Sequence, residues 1–365
     1  MRHLLALCVA LLLAGCAGKE PLYQEQGYVF GTLVEVSVYG EDDARARAAV
    51  AEVLHEFQRL HEMLHAWKPS ELSRLNAAFA QGQSLAVSPE LAAMMADAAQ
   101  LSARSQGLFN PSIGGLVQLW GFHADEFKPV EPAQQQIAQW LAANPQMSDL
   151  VFSTPNPPQP SLVRGAAFSS PDKVRPGGVA VFSRNRAVQL DLGGYAKGYA
   201  LDRAAALLHR QGIRNALVNI GGNIIALGRH GDRAWRVGIQ HPRNSGALAT
   251  LELRDGEAIG TSGDYQRYFM LQGKRYCHLI DPRTGYPVQG VQAVTVLTHG
   301  AQAGVRSDVV SKPLFIAGVQ GWRAEADRMG VAEAMLVDGA GRIHLTGSLQ
   351  NRLEFTDKKI IKQVE

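Results

Sequence analysis

The spacing of apolar residues divides the chain into two unlike halves. From 28 to 39 apolar and polar residues alternate, which predicts a strand. Between 44 and 64, Val50, Val53, Leu54, Phe57 and Leu60 recur near every 3.6 residues and predict an amphipathic helix. Further helices are expected over 91–105, 134–143 and 195–211, the last closed by Gly212. The stretch 107–122, GLFNPSIGGLVQLWGF, is rich in glycine and carries no clear period. Residues 153–178 are rich in Pro, Ser and Gly and read as a surface loop or insertion, followed by a hairpin over 179–192. Beyond residue 215 strands dominate, near 216–227, 235–240, 248–253, 257–261, 266–271 and 275–280. Turns fall at Gly221-Gly222, Asp255-Gly256 and Gly273. Two helices near 303–318 and 320–329 and a hairpin about Asp338-Gly339 follow. Runs of antiparallel strands with segregated helices predict an α+β fold, not a doubly wound sheet.

The N-terminus reads as a targeting segment. A positive start, Met1-Arg2-His3, precedes an apolar run over 4–14, too short to cross a bilayer. It ends in Leu13-Ala14-Gly15 directly before Cys16, a pattern that resembles a bacterial lipoprotein signal. The expected organisation is a signal peptide over 1–15, a lipid anchor on Cys16, a tether over 17–27 and a folded domain over 28–355. That places the domain on the periplasmic side of a bacterial membrane. With Cys8 in the signal and Cys16 lipidated, Cys277 is the remaining thiol of three, so no internal disulfide is expected. The formal net charge is only +3, and no basic run is interleaved with aromatics, which excludes a nucleic-acid binder.

Four segments place polar residues on glycine or proline turns at strand ends: DLGGYAKG (191–198), NIGGN (219–223), TSGDYQRYF (261–269) and HLIDPRTGYP (278–287). Glycines let backbone approach a ligand closely and turn N–H groups toward anions. Asp191, Asp264, Asp281 and Asp308 are candidate oxygen ligands for a hard divalent cation. His278 is a candidate for proton transfer near neutral pH. On the strand expected over 275–280 it shares a face with Ile280. The spacing of Gly193, Gly194 and Gly198 is not G-x-G-x-x-G, and a Walker A motif is absent, so Rossmann and P-loop readings fail.

In combination these segments resemble the ApbE family of flavin transferases. The resemblance runs in order through GTLVEVSVYG, KPSELSRLN, GLFNPSIGGLVQLWGF, DLGGYAKGYALDRA, VNIGGN, TSGDYQRYF, HLIDPRTGYPV and SDVVSKPLFIAG, from about residue 28 to 350. It implies the α+β architecture called the T-fold. It also implies FAD as a substrate, split with Mg²⁺ at its pyrophosphate, the FMN half then being joined through a phosphoester to a threonine of a partner protein. Such partners are subunits of respiratory or ion-pumping redox complexes.

The resemblance also assigns roles. Phe30, Trp67, Leu108, Phe109 and Asn110 fall on FAD-holding positions, Asn110 where the family has an aspartate. Asp191 and Lys197 match the adenosine side, and Ile280 a flavin-contacting backbone position. His278 and Asp281 lie at the implied reacting centre, and the Gly194 carbonyl and Asp308 at the implied metal. There the chain departs from the family. The usual Asp-Ala-x-x-Thr, whose Asp and Thr bind Mg²⁺, is replaced by Asp308-Val309-Val310-Ser311-Lys312. A protonated lysine cannot ligate a cation. Two arrangements stay open: Lys312 pairs with Asp308 or supplies a cation charge at the phosphates, or it turns to solvent and Ser311 supplies the oxygen. Two other activities also remain open, an FAD pyrophosphatase releasing FMN and AMP, and a non-catalytic FAD-binding lipoprotein.

Overall fold

The computed structural model describes residues 21–124, 126–153, 178–357 and 362–364. The expected signal, Cys16 and most of the expected loop over 153–178 lie outside the described residues. The chain opens with a hairpin of β1 (Leu22–Val29) and β2 (Thr32–Tyr39). Phe30 (φ 56°) and Gly31 (φ 70°) form the turn between them. Positive φ at both positions suits the right-handed twist of the flanking strands. The single strand expected over 28–39 is thus a hairpin, and β1 takes in residues 22–27 of the expected tether.

Helices α1 (Asp43–Leu64), α2 (Glu71–Ala80) and α3 (Pro89–Arg104) each start at a polar cap. The Asp42 carboxylate accepts the Arg45 N–H, Ser70 and Ser73 cap reciprocally, and the Ser88 hydroxyl accepts the Leu91 N–H ahead of Pro89. Strand β3 (Leu85–Val87) lies between α2 and α3, and α4 (Gly114–Leu119) and α5 (Gln134–Ala143) follow. Strand β3 pairs with β5 (Val179–Ser183), which also pairs with β4 (Leu150–Ser153). The hairpin expected over 179–192 therefore does not form. Beyond β5, Gln189 bridges Ile113, and the chain enters α6 (Gly193–Arg210).

The remaining elements are mostly strands: β6 (Ala216–Ile220), β7 (Asn223–Leu227), β8 (Trp235–Gln240), β9 (Ala247–Leu253), β10 (Ala258–Gly263), β11 (Tyr268–Leu271), β12 (Lys274–Cys277) and β13 (Val291–Thr298). Helix α7 (Ala303–Met329) breaks at Gly318 (φ 67°, ψ −175°), in keeping with the two helices expected there. Then come β14 (Glu333–Asp338), β15 (Ile343–Leu345), α8 (Gly347–Gln350), β16 (Glu354–Phe355) and β17 (Lys362–Val364). The main sheet runs β1-β2-β6-β7-β10-β13-β14-β15-β17, antiparallel except for the last pair. Helices α1, α6 and α7 pack on one face, and the small sheet β16-β9-β8 packs on the other. All eight residues of β13 are buried, because both of its faces are covered. It is an interior strand that alternation does not reveal. The architecture is the expected α+β class.

Candidate active site

The site begins where α6 and α7 touch. A Cβ on residue 198 would lie 2.4 Å from the Gly304 carbonyl oxygen and 2.7 Å from the Val305 Cα. Only glycine at 198 therefore lets the second turn of α6 meet the first turn of α7 backbone to backbone. The Asp202 carboxylate, on the next turn of α6, accepts the Gly304 and Val305 N–H groups at 2.8 and 2.9 Å and caps α7. Burial pushes its pKa up to about 6. This packing seats Asp308 against α6, where its Oδ2 accepts the Gly198 N–H at 2.9 Å.

Lys312 occupies the other side of that carboxylate. Its Nζ lies 2.6 Å from Asp308 Oδ1 and 2.7 Å from the Asp308 carbonyl oxygen. Its stem runs over Gly194, where a Cβ would stand 2.9 Å from Lys312 Cε. The Ser311 hydroxyl is buried, donating to the Asp308 carbonyl at 2.7 Å and paired with Ser262 at 2.7 Å. Of the two arrangements open from sequence, Lys312 pairing with Asp308 is the one present. The expected magnesium set of Gly194, Asp308, Ser311 and Lys312 does not fit a divalent cation in this arrangement. Both Asp308 oxygens already accept protein donors, and an ammonium stands beside them. Among the described residues no group of three or more His, Cys, Asp or Glu is placed to hold a metal ion. The other candidate aspartates are dispersed. Asp264 is bound by Arg243 through two contacts of 2.7 and 2.6 Å. Asp191 accepts the Gly193 N–H at 2.8 Å at the start of α6.

Three cations, Arg267, Lys197 and Lys312, act electrostatically on His278. Lys197 forms no hydrogen bond or ion pair among the described residues and faces Asp308, Lys312 and Arg267. Burial, with repulsion from Lys312 and Arg267, holds its pKa below the usual lysine range. The Asp308 carboxyl is disfavoured as an anion by burial, yet the Lys312 and Lys197 charges leave its pKa lowered overall. His278 lies just past β12, not within it, so the expected same-face alternation with Ile280 does not hold. Its backbone N–H donates to the Arg267 carbonyl at 3.0 Å, and its Nδ1 lies 3.3 Å from the same oxygen. A carbonyl only accepts, so in that contact the proton sits on Nδ1 and Nε2 keeps its lone pair. Burial, then the Arg267 and Lys197 charges, push the imidazole down to about 3, so it is neutral at pH 7. Arg267, on the quoted TSGDYQRYF segment, was not singled out from sequence. Nothing in its local pattern distinguishes it from a surface arginine.

Asp281 is engaged at its carboxylate by Arg283. Its carboxylate accepts Arg283 Nε at 2.9 Å, Arg283 Nη2 at 2.7 Å and the Arg283 N–H at 2.9 Å. Its backbone carbonyl accepts the Thr284 and Gly285 N–H groups. It organises the turn, and this pairing favours a structural role over the expected catalytic one. The Ile280 side chain is buried with Leu116, Trp120, Phe122 and Phe269, so only its backbone is free for the expected contact.

The expected flavin-side residues fall into two groups. Phe30 packs edge-on to His61, with ring centroids 5.8 Å apart, and 6.3 Å from Phe57. Trp67 meets His123 at 5.6 Å and is outside the buried core. His123 follows Phe122, whose ring is 6.5 Å from that of His278. Phe109 borders Gly194. Leu108 and Asn110 are buried, and the Asn110 amide is spent within the protein, donating to the Pro145 carbonyl at 2.9 Å and accepting the Ser112 N–H at 3.0 Å. The Asn110 side chain, expected at the FAD, thus has two partners inside the protein. His61 and His123 were not foreseen, since a lone histidine on a helix or loop carries no pattern.

The fold is that of an α+β class to which solved flavin transferases belong. Residues 30–336 match the ApbE family, and the chain belongs to it. It is 42% identical over 354 residues to an FAD:protein FMN transferase of Rhodobacter capsulatus, covering 96% of this chain and 62% of that protein, so the chain spans less than two thirds of that relative. It is 30% identical over 351 residues to an FAD:protein FMN transferase of Klebsiella pneumoniae, covering 93% of this chain and 92% of that one. The crystal structure of the Pseudomonas stutzeri flavinyl transferase ApbE in its apo form superposes with a TM-score of 0.73 at 27% identity, over 92% of this chain and 98% of that one.

Proposed function

We infer that this chain is an FAD:protein FMN transferase. The observation that carries the reading, beside family membership, is a neutral imidazole with a free Nε2 set among Lys197, Arg267 and Lys312. A pyrophosphate is an anion that such cations hold and whose cleavage they assist. In the reaction proposed, an acceptor hydroxyl oxygen bonds to the FMN phosphorus of FAD. The bond from that phosphorus to the bridging oxygen breaks, and AMP leaves with that oxygen. The hydroxyl proton passes to His278 Nε2. The acceptor hydroxyl is a threonine on a membrane redox-complex subunit. Phe30 and Trp67 offer aromatic surface to the isoalloxazine ring, and Asp191 and Lys197 hold the adenosine half. Lipidation of Cys16, which the segment 1–16 supports, would tether the domain to the periplasmic face of a membrane, near such acceptors. The expected magnesium has no part in this scheme, because the residues present do not fit it.

Incubation of the purified chain with FAD and a threonine-bearing acceptor tests the reading. The expected outcome is an acceptor heavier by one FMN phosphoryl group in intact-mass analysis, with one AMP per modified acceptor. Free FMN and AMP with an unmodified acceptor would make the protein a hydrolase. FAD bound and unchanged would make it a carrier.

A further inference from the structure

We propose that the Lys312 ammonium takes the place of a divalent cation, so that this chain transfers FMN from FAD without a metal. The proposal rests on the flavin-transfer reading and deepens it. Five features of the site point to it. The ammonium makes two short contacts to Asp308, 2.6 Å to Oδ1 and 2.7 Å to the main-chain oxygen, the hard oxygen donors a cation would want. The remaining carboxylate oxygen is held by the Gly198 N–H at 2.9 Å. Gly194 has no side chain where the Lys312 stem crosses, and any Cβ there would press on Cε at 2.9 Å. The Ser311 hydroxyl, the nearest alternative oxygen, is turned inward to Ser262. The Lys312 side chain is also largely buried, at 14% exposure, so this is a fixed ion pair and not a mobile surface lysine. Lys312 and Lys197 together carry the charge of one divalent ion, and Arg267 adds a third cation on the His278 side.

The chemistry stays balanced without a metal. The acceptor oxygen bonds to phosphorus, the bond from phosphorus to the bridging oxygen breaks, and the hydroxyl proton moves to His278. The negative charge growing on the departing AMP phosphate is met by ammonium groups. Lysine serves as a compact point charge in that role.

The test compares the mature chain with Lys312→Thr and Lys312→Met, each with FAD and acceptor, in EDTA and in excess Mg²⁺. Binding of Mn²⁺, followed by its solution EPR signal, is measured alongside. The wild type is expected to release AMP within about threefold of the same rate in both buffers and to leave the Mn²⁺ signal unchanged. Lys312→Thr is expected to lose on the order of 10²-fold in EDTA, the scale for removing one preorganised charge-stabilising group, to recover in Mg²⁺ and to bind Mn²⁺. Lys312→Met should stay slow in both buffers. A wild type that stops in EDTA and restarts with Mg²⁺ overturns the proposal while the transferase reading stands. AMP release in EDTA with an unmodified acceptor keeps the role of Lys312 and overturns transfer. Absence of AMP release in either buffer overturns both.

Discussion

Asp308 and Asp281 are both expected site carboxylates and end in opposite situations. Both are buried, and each is paired with a cation close by in sequence. Asp308 pairs with Lys312 one helical turn on, within a face where Gly194, Gly198 and Gly304 bring α6 and α7 together. The result is a charged cluster that also gathers Lys197, Arg267 and His278. Asp281 pairs with Arg283 two residues on, and the pair closes upon itself. The arginine fork and the local N–H groups consume every acceptor of the carboxylate, and the guanidinium is left 60% exposed at the surface. A lysine presents one compact charge and leaves room for a second partner, whereas an arginine fork saturates a carboxylate. The difference separates a site that can meet a phosphate from a turn that can only hold its shape.

The sharpest way to break this comparison is at His278, the proposed proton acceptor of the basic cluster. His278→Ala is expected to slow single-turnover FMN transfer by about 10²–10⁴-fold with FAD affinity little changed. An equal loss of affinity and transfer would make the histidine a packing residue. Stability carries a second signature. The folded imidazole titrates near 3, below its ordinary value of 6.5, so between those two values the unfolded chain binds more protons than the folded one. Stability attributable to this group therefore falls as pH drops from 6.5 toward 3. The alanine variant should gain in melting temperature relative to the wild type as pH is lowered across that window.

A smaller effect is expected where the cluster is assembled. Gly198→Ala forces a Cβ to within 2.4 Å of the Gly304 carbonyl, which the helices relieve by moving apart. Such overpacking costs about 1–3 kcal/mol in unfolding free energy and shifts Asp308 away from α6. Denaturant unfolding measures the first and FAD affinity the second. An unchanged midpoint would mean that the helix contact tolerates a methyl group.

The sequence made the elements more legible than the site. The periodicity of α1, the extent of α5, the break at Gly318 and the strands from β6 to β10 follow from local pattern. Strand β13 does not, because burial on both faces erases the alternation that marks a strand. Gly193, Gly194, Gly198, Asp191 and His278 are visible as candidates through their place in glycine or proline turns, and Asp308 and Lys197 through chemistry or the resemblance. What local pattern cannot supply is the partner. Whether Lys312 faces Asp308 or solvent depends on the α6–α7 contact, and the capture of Asp264 by Arg243 crosses 21 residues. The resemblance puts Asn110 at the ligand and Asp281 at the chemistry by their place in matched segments, which names no partner either. Each is polar, buried and next to a turn, and only their hydrogen bonds to Pro145, Ser112 and Arg283 show that the turn itself uses them.

Asp281→Asn gives the smallest expected effect and tests the quiet side of the comparison. The substitution keeps a side-chain oxygen that can still accept the Arg283 N–H and hold the start of the turn. It removes the charge that binds the guanidinium. Because Arg283 is largely exposed, solvent already screens much of that attraction, and the loss should be roughly 1 kcal/mol. The backbone bonds from Thr284 and Gly285 to the Asp281 carbonyl, and from Asp281 to Tyr286, remain. They keep Ile280 and Tyr286 in place against Trp120, whose indole N–H donates to the Gly285 carbonyl at 2.8 Å. Transfer should therefore stay within about threefold of the wild type while the unfolding midpoint drops slightly. Were Asp281 instead the base, the same change would slow transfer by 10²-fold or more at unchanged stability. Measuring the single-turnover rate and the unfolding midpoint on one preparation decides between a carboxylate that shapes a turn and one that moves a proton.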